Sequence, residues 1–191
     1  DKISDLKENA LYREFIPLDK DAENYPVAYD HKTKQDVVIC CSNDYLAMSR
    51  NKGLQQTLFA SAKKYGLGAG GTRNISGNNY STVKLEQEIA KLHKKDRGLV
   101  FTSGYVSNQA TIATLSKVLT DLVIFSDQEN HASIITGISS AACKKEIFKH
   151  NDVNDLENRL KKYPKEQNKL IIFEGVYSMS GDICPIKEYV K

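Results

Sequence analysis

Apolar and polar positions follow two different rhythms along this chain. Ile3, Leu6, Ala10 and Leu11 recur at helical spacing and predict a helix within residues 1–16. Residues 19–36 are polar and turn-rich, with Pro17 just before them and Pro26 inside them. Val37-Val38-Ile39-Cys40 predicts a short strand. Residues 52–65 predict a helix that stops at Gly66. Residues 80–95 predict a second amphipathic helix carrying Val83, Leu85, Ile89 and Leu92, with Ser81 as its cap.

From residue 99 short apolar runs alternate with helical patterns. Strands are predicted at 99–101, 122–125, 147–148 and 170–173. The first three are followed by helices at about 105–117, 131–142 and 153–162. The last is followed by a polar loop to Asp182, and Pro185 stands where a helix could begin. Such alternation implies βαβ units and a mainly parallel sheet with flanking helices, an α/β fold. Continuous apolar strands fit a sheet covered on both faces. Ligands bind such sheets at the carboxyl ends of the strands, which places Asn43, Ser103, Ser126, His150 and Ser178 where a site is expected.

Composition narrows this reading. The 191 residues suffice for one domain, and 40% hydrophobic with 27% charged residues are globular proportions. A net charge of +3, with its lysine pairs scattered, gives no footprint for a nucleic acid. No apolar run approaches the roughly 20 residues of a membrane span. Cys40, Cys41, Cys143 and Cys184 lack metal-ligand spacing and are expected as buried, reduced thiols. The chain opens at Asp1 and stops at Lys191 within what reads as a helix start, so both ends are expected to be cut.

Four stretches could carry chemistry. Thr102-Ser103-Gly104-Tyr105 follows an apolar run and opens a helix, whose free N–H groups and dipole suit an anion. Residues 68–77 hold Gly68, Gly70, Gly71 and Gly77 around Thr72-Arg73-Asn74. No strand precedes this stretch and no Gly-Lys-Ser/Thr closes it, so it is neither a dinucleotide fingerprint nor a phosphate loop of that type. A tight backbone path that presents polar side chains remains. Ser126–Ser133 places His131 at a strand's carboxyl end, and Glu174–Asp182 forms a polar loop after the last strand. There is no G-x-S-x-G elbow and no His/carboxylate metal cluster. The residues alone support an α/β domain with an anion-binding sheet end.

Together the motifs resemble the α-oxoamine synthases. The resemblance rests on Cys41-Ser42-Asn43-Asp44-Tyr45-Leu46, on Gly68–Gly77, and on Ser126-Asp127 with Asn130-His131-Ala132-Ser133. Ile147–Asp152 and Val176-Tyr177-Ser178-Met179 extend it, in order and over nearly the whole chain. It implies the large domain of pyridoxal-phosphate-dependent fold type I, in part. Residues 1–36 would form an N-terminal helix and turn-rich segment, and residues 37–191 the first part of the cofactor-binding domain. The implied cofactor is pyridoxal 5'-phosphate, held by Gly104, Tyr105, His131 and Ser178, with His131 stacked on its ring as the catalytic residue. Arg13, Asn43, Thr72 and Asn74 would grip a succinyl carboxylate, and Ser126 and Lys145 would meet CoA. An apolar acyl tail would leave a buried Arg13 unpaired.

The form Gly-Gly-Thr-Arg-Asn-Ile-Ser-Gly points within the family to condensation of glycine with succinyl-CoA, giving 5-aminolevulinate, CoA and CO₂. The alternatives are a sister synthase using another acyl-CoA, or a non-catalytic subunit acting as a scaffold. The resemblance also implies a homodimer with its site at the subunit interface. The compartment would be the mitochondrial matrix in a eukaryote and the cytoplasm in a bacterium. Gly175 departs from the Ser usual at its position. The Asp that pairs with the cofactor's pyridinium nitrogen and the lysine that binds the cofactor covalently have no match, and both are expected beyond Lys191. The isolated segment is expected to be inactive and to expose apolar surface.

Overall fold

The computed structural model describes residues 1–191. The chain divides into two compact units, residues 1–77 and 78–191.

In the first unit, helix α1 (Lys2–Glu8) starts at Asp1, whose carboxylate accepts the N–H groups of Ile3 and Ser4. It is shorter than the helix expected within residues 1–16. Ala10 takes a positive φ, and the N–H groups of Leu11 and Tyr12 turn back to the Leu6 carbonyl, which ends the helix.

Residues 19–36 are not simply turns. They hold most of an antiparallel sheet of β1 (Leu18–Asp19), β2 (Val27–Asp30) and β3 (Gln35–Val38), in that order. Asp30 builds the connection between β2 and β3. Its carboxylate is buried and accepts from the Lys32 and Thr33 N–H groups and the Thr33 hydroxyl. β1 and β2 fall outside the apolar pattern because they are short and bury only Ala28 and Asp30, whereas β3 overlaps the strand expected at residues 37–40. Helix α2 (Lys52–Tyr65) runs as expected. Asn51 caps its start, and Gly66 ends it at φ +80°, a conformation that glycine adopts without strain.

The second unit begins with α3 (Tyr80–Leu92). Its cap position is Asn79, in extended conformation, and Ser81 lies inside the helix rather than capping it. Residues 99–101 do not form the expected strand. The Val100 N–H goes to Glu86 Oε1 and Leu99 stays exposed. A strand exists only where a neighbour completes its hydrogen bonds, and none pairs here.

The remaining elements alternate as expected: α4 (Gly104–Val118), β4 (Val123–Asp127), α5 (Ala132–Ser140), β5 (Lys144–Phe148), α6 (Val153–Leu160), β6 (Lys169–Ile172) and α7 (Ile186–Tyr189). The three strands pair in parallel in the order β5-β4-β6, with Ser126 opposite Ile147 on one side and Ile172 on the other. Every residue of β4 is buried. Its alternate side chains face two cores. Ile124 packs with Ile112, Ile134 and Ile138 from α4 and α5. Val123 and Phe125 pack with Phe148 and with Leu156 from α6. Burying each such side chain contributes about 1.5–3 kcal/mol. Gly137 lets α5 approach α4, since a Cβ there would lie 3.1 Å from Gln109 Cα and Ile112.

All four cysteines are free. Cys184 is buried and Cys143 partly so, but Cys40 and Cys41 are exposed, contrary to expectation, because they follow β3 where nothing packs over the chain. No helix is long and apolar enough to cross a membrane.

Candidate active site

The carboxyl end of the parallel sheet gathers polar side chains that the strands position. β4 closes on Ser126-Asp127, both buried. Asn130 then turns back and donates through Nδ2 to Ser126 Oγ at 2.9 Å and to the Ile172 carbonyl at 2.8 Å. This fastens the end of β4 to the end of β6. Glu174, just after β6, accepts the His131 backbone N–H and fastens the same two segments again.

His131 caps α5. Its Nδ1 accepts the Ser133 N–H at 3.2 Å and lies 2.7 Å from Ser133 Oγ. An accepting Nδ1 puts the ring proton on Nε2. Tyr105 meets His131 edge-on, with ring centres 6.3 Å apart, and its hydroxyl lies 2.7 Å from Thr136 Oγ1. The exposed His131 ring is thus held at its inner nitrogen and open at the outer one.

The start of α4 has main-chain donors of the kind that suit an anion. Ser103 takes up the Val106 N–H with its hydroxyl and the Ser107 N–H with its carbonyl. Helix geometry leaves the N–H groups of Gly104 and Tyr105 without a carbonyl inside the helix. A Cβ at Gly104 would meet nothing within 4 Å, so the approach is open. At the end of β4, Asn130 Oδ1 is buried without a partner. Open main-chain donors, an exposed imidazole and an unpaired buried oxygen fit a phosphorylated ring with polar substituents.

A second group of residues gathers here, and the sequence marks its members in separate motifs without showing that they meet. Asp127 accepts from the N–H groups of Glu129 (2.8 Å) and Asn151 (3.0 Å) and from His150 Nδ1 (2.9 Å). Burial by itself would raise the Asp127 carboxyl. The two main-chain N–H groups and the His150 ring outweigh burial and hold it below the usual carboxylate range. The hydrogen bond to Asp127 raises the His150 imidazole above its ordinary value, against the opposing effect of burial. Tyr177 packs edge-on to His150 with ring centres 4.4 Å apart, and burial pushes its phenol up. The strand-end position of His150 was legible, but its partners come from three separate segments.

Of the residues expected to hold a cofactor, Gly104, Tyr105 and His131 meet at this end of the sheet. Ser178 is exposed in the loop that follows β6. Ser126, expected at CoA, is buried instead. Its hydroxyl donates to the Asp127 carbonyl and accepts from Asn130, so it staples the sheet end rather than facing a ligand. Lys145 is exposed and pairs with Ile124, nearer the amino ends of the strands, and its ammonium donates to the Ser139 carbonyl. The structure does not bring Ser126 and Lys145 to one surface.

Arg13, Asn43, Thr72 and Asn74 belong to the first unit. Arg13 is exposed, not buried, because it follows the end of α1 in unpaired chain. Thr72 and Asn74 lie in a tight turn. The Thr72 carbonyl accepts from the N–H groups of Ile75 and Gly77. Gly77 is required there, since a Cβ would fall 1.9 Å from the Gly71 carbonyl oxygen. Asn43 flanks Asp44, whose carboxylate accepts the Met48 and Ser49 N–H groups and fixes the turn before α2.

The sequence pattern of the family described as "Aminotransferase class I and II" matches residues 35–191. The chain belongs to that family. It is 47% identical over 188 residues to a 5-aminolevulinate synthase of Rickettsia felis, covering 98% of this chain and 45% of that protein. It is 48% identical over 188 residues to the mitochondrial 5-aminolevulinate synthase of Saccharomyces cerevisiae, covering 97% and 34%. A serine palmitoyltransferase of S. paucimobilis with PLP and myriocin bound superposes with a TM-score of 0.86 at 29% identity, over 99% of this chain and 48% of that one. An 8-amino-7-oxononanoate synthase of Francisella tularensis superposes with a TM-score of 0.63 at 30% identity, over 78% and 40%. The chain spans less than half the length of these relatives. Its parallel sheet with flanking helices is part of the fold of this pyridoxal-phosphate-dependent class.

Proposed function

We propose that this protein is a pyridoxal-phosphate-dependent α-oxoamine synthase that condenses glycine with succinyl-CoA, giving 5-aminolevulinate, CoA and CO₂. The observation that carries the reading is the 47–48% identity to 5-aminolevulinate synthases across nearly the whole chain. The family match from residue 35 onward supports residues 37–191 as the first part of the cofactor-binding large domain, with residues 1–36 as an N-terminal segment.

Each residue has a job in this reading. The N–H groups of Gly104 and Tyr105 hold the phosphate at the start of α4. His131, oriented by Ser133, would stack on the cofactor ring, with its Nε2 left free by the Nδ1 contact. Ser178 hydrogen-bonds the cofactor. When bound, pyridoxal phosphate supplies an electron sink for the carbanion formed from glycine.

Arg13, with Asn43, Thr72 and Asn74, receives the succinyl carboxylate, for which a guanidinium offers a two-pronged match. Lys145 attracts the phosphates of CoA. Ser126 serves indirectly, by holding Asn130 and the strand end that leads to His131. The working unit is a homodimer with its site at the subunit interface. Its compartment is the mitochondrial matrix in a eukaryote and the cytoplasm in a bacterium.

The test is turnover by the full-length protein with glycine and a panel of acyl-CoA substrates. Succinyl-CoA should have the highest kcat/KM. Preference for acetyl-, pimeloyl- or palmitoyl-CoA would move the protein to a sister synthase. Failure to bind pyridoxal phosphate, seen as no absorbance change on titration, would leave the scaffold reading.

A further inference from the structure

His150 joins three segments that are separate in sequence. Its Nδ1 contacts Asp127 at the end of β4 at 2.9 Å. Its Nε2 lies 3.3 Å from Asp182 Oδ2, beyond the loop that carries Ser178. The flat side of the contact is closed by Tyr177, which is itself 2% exposed. The segment Gly175–Cys184 is a small hairpin. The Tyr177 N–H donates to the Asp182 carbonyl, the Gly181 N–H to the Tyr177 carbonyl and the Cys184 N–H to the Gly175 carbonyl. Val176 and Ile183 form an isolated antiparallel bridge, and Gly181 turns the chain at φ +81°.

This hairpin is small and most of its side chains are exposed, so its own hydrogen bonds hold it weakly. Its fixed points are the buried Tyr177 and Cys184 and the His150–Asp182 contact. Asp127, by contrast, is anchored by two main-chain N–H groups and cannot shift without uncovering them. His150 therefore connects a rigid strand end to a weakly held loop.

We propose that His150 is a positioning residue, whose imidazole bridges Asp127 and Asp182 and thereby sets the place of the Ser178 hairpin at the carboxyl end of the sheet. The proposal rests on the assignment of Ser178 to the cofactor for its functional consequence only. The bridge itself stands on the geometry. The groups facing the ring are the carboxylates of Asp127 and Asp182, the Glu129 carboxylate at 3.9 Å, the Asn151 amide at 3.1 Å and the Tyr177 phenol. Three acids around one imidazole favour its protonated form, in which both ring nitrogens donate. The bridge is then complete while the acids are ionised and the ring is protonated, and it is lost as the pH rises through the His150 pKa.

The experiment uses the full-length protein and the variants His150→Asn and Asp182→Asn. An Asn at 150 can keep the contact to Asp127 but cannot reach Asp182. Asp182 is half exposed, so its replacement leaves the core untouched. Amide hydrogen exchange is read at Tyr177, Gly181 and Cys184, without added cofactor.

Both variants should exchange at least about tenfold faster at these amides, while the amides of β4 keep their protection. In the unmodified protein, protection of the hairpin should fall as the pH rises through the raised His150 pKa, after correction for intrinsic exchange, and the dependence should vanish in His150→Asn. Unchanged protection in both variants, or the same pH dependence with and without His150, would overturn the proposal. Pyridoxal phosphate affinity separates the two readings. Faster exchange with roughly tenfold weaker binding supports both. Faster exchange with unchanged affinity supports the bridge and overturns the assignment of Ser178.

Discussion

Asn130 Nδ2 donates to the Ile172 carbonyl at 2.8 Å and joins the carboxyl ends of two neighbouring parallel strands. The same nitrogen donates to Ser126 Oγ, and that contact is buried while the one to Ile172 is partly so. Asn130→Ala removes both and leaves the Ile172 carbonyl with one donor fewer. A loss of about 1–3 kcal/mol is expected, read as a lower urea midpoint at unchanged m-value. Asn130→Asp offers no N–H at this point and should cost at least as much.

Gly77→Ala should disrupt the turn that presents Thr72 and Asn74. The new methyl would fall 1.9 Å from the Gly71 carbonyl oxygen, so the backbone must move. A cost of about 1–3 kcal/mol is expected from the forced shift. Under the proposed reaction, KM of the full-length protein for succinyl-CoA should rise more than KM for glycine. Steady-state kinetics against each substrate would check it.

Gly175→Ser should be nearly silent. Gly175 has no positive φ, and a Cβ there meets nothing within 4 Å. The stability change should stay within about 0.5 kcal/mol, measured by thermal unfolding. The departure from the Ser usual in the resembling family is then a loss of one side-chain contact and not of backbone freedom.

The His150 ring should titrate above the ordinary histidine value. Its hydrogen bond to Asp127 stabilises the charged form more than burial opposes it. A raised folded-state pKa means that its contribution to stability is fully present below the unfolded value of about 6.5 and is lost as pH rises through the folded value. Proton NMR of the ring should show this, and Asp127→Asn should lower the pKa.

Asp127 behaves in the opposite sense. Its folded-state pKa is depressed, so its contribution is present above the unfolded value of about 3.9 and is lost as pH falls through the folded value. Glu146 is lowered as well, first by the Tyr163 hydroxyl, with Arg159 adding to it. Stability should therefore fall below about pH 4, and Asp127→Asn should flatten that limb of the curve.

The periodic pattern determined the centre of the second unit well because β4 is buried on both faces. Val123, Ile124 and Phe125 are all fully buried, and only continuous apolar residues meet that demand. The helix starts at Asn51 and Ser103, the stop at Gly66 and the phosphate-suited turn at Gly104 are local chemistry, and local chemistry is written in sequence. The motif order over residues 41–179 carried the family without any coordinates.

Tertiary structure decided what depends on a partner. Residues 99–101 have a strand's composition but nothing to pair with, so their hydrogen bonds go to Glu86. Residues 19–36 read as turns, yet Asp30 folds residues 27–38 into a hairpin whose last two residues, Val37 and Val38, lie in the expected strand. Ser126 reads as a strand-end ligand group, but Asn130 encloses it. Asp127, His150 and Asp182 lie 23 and 32 residues apart and meet only because parallel pairing of β4 with β5 and with β6 brings the ends of these strands together. Periodicity reports the environment of a residue along its own segment. Which distant segment supplies its hydrogen-bond partner is fixed by sheet order and register, and these exist only once the chain has folded.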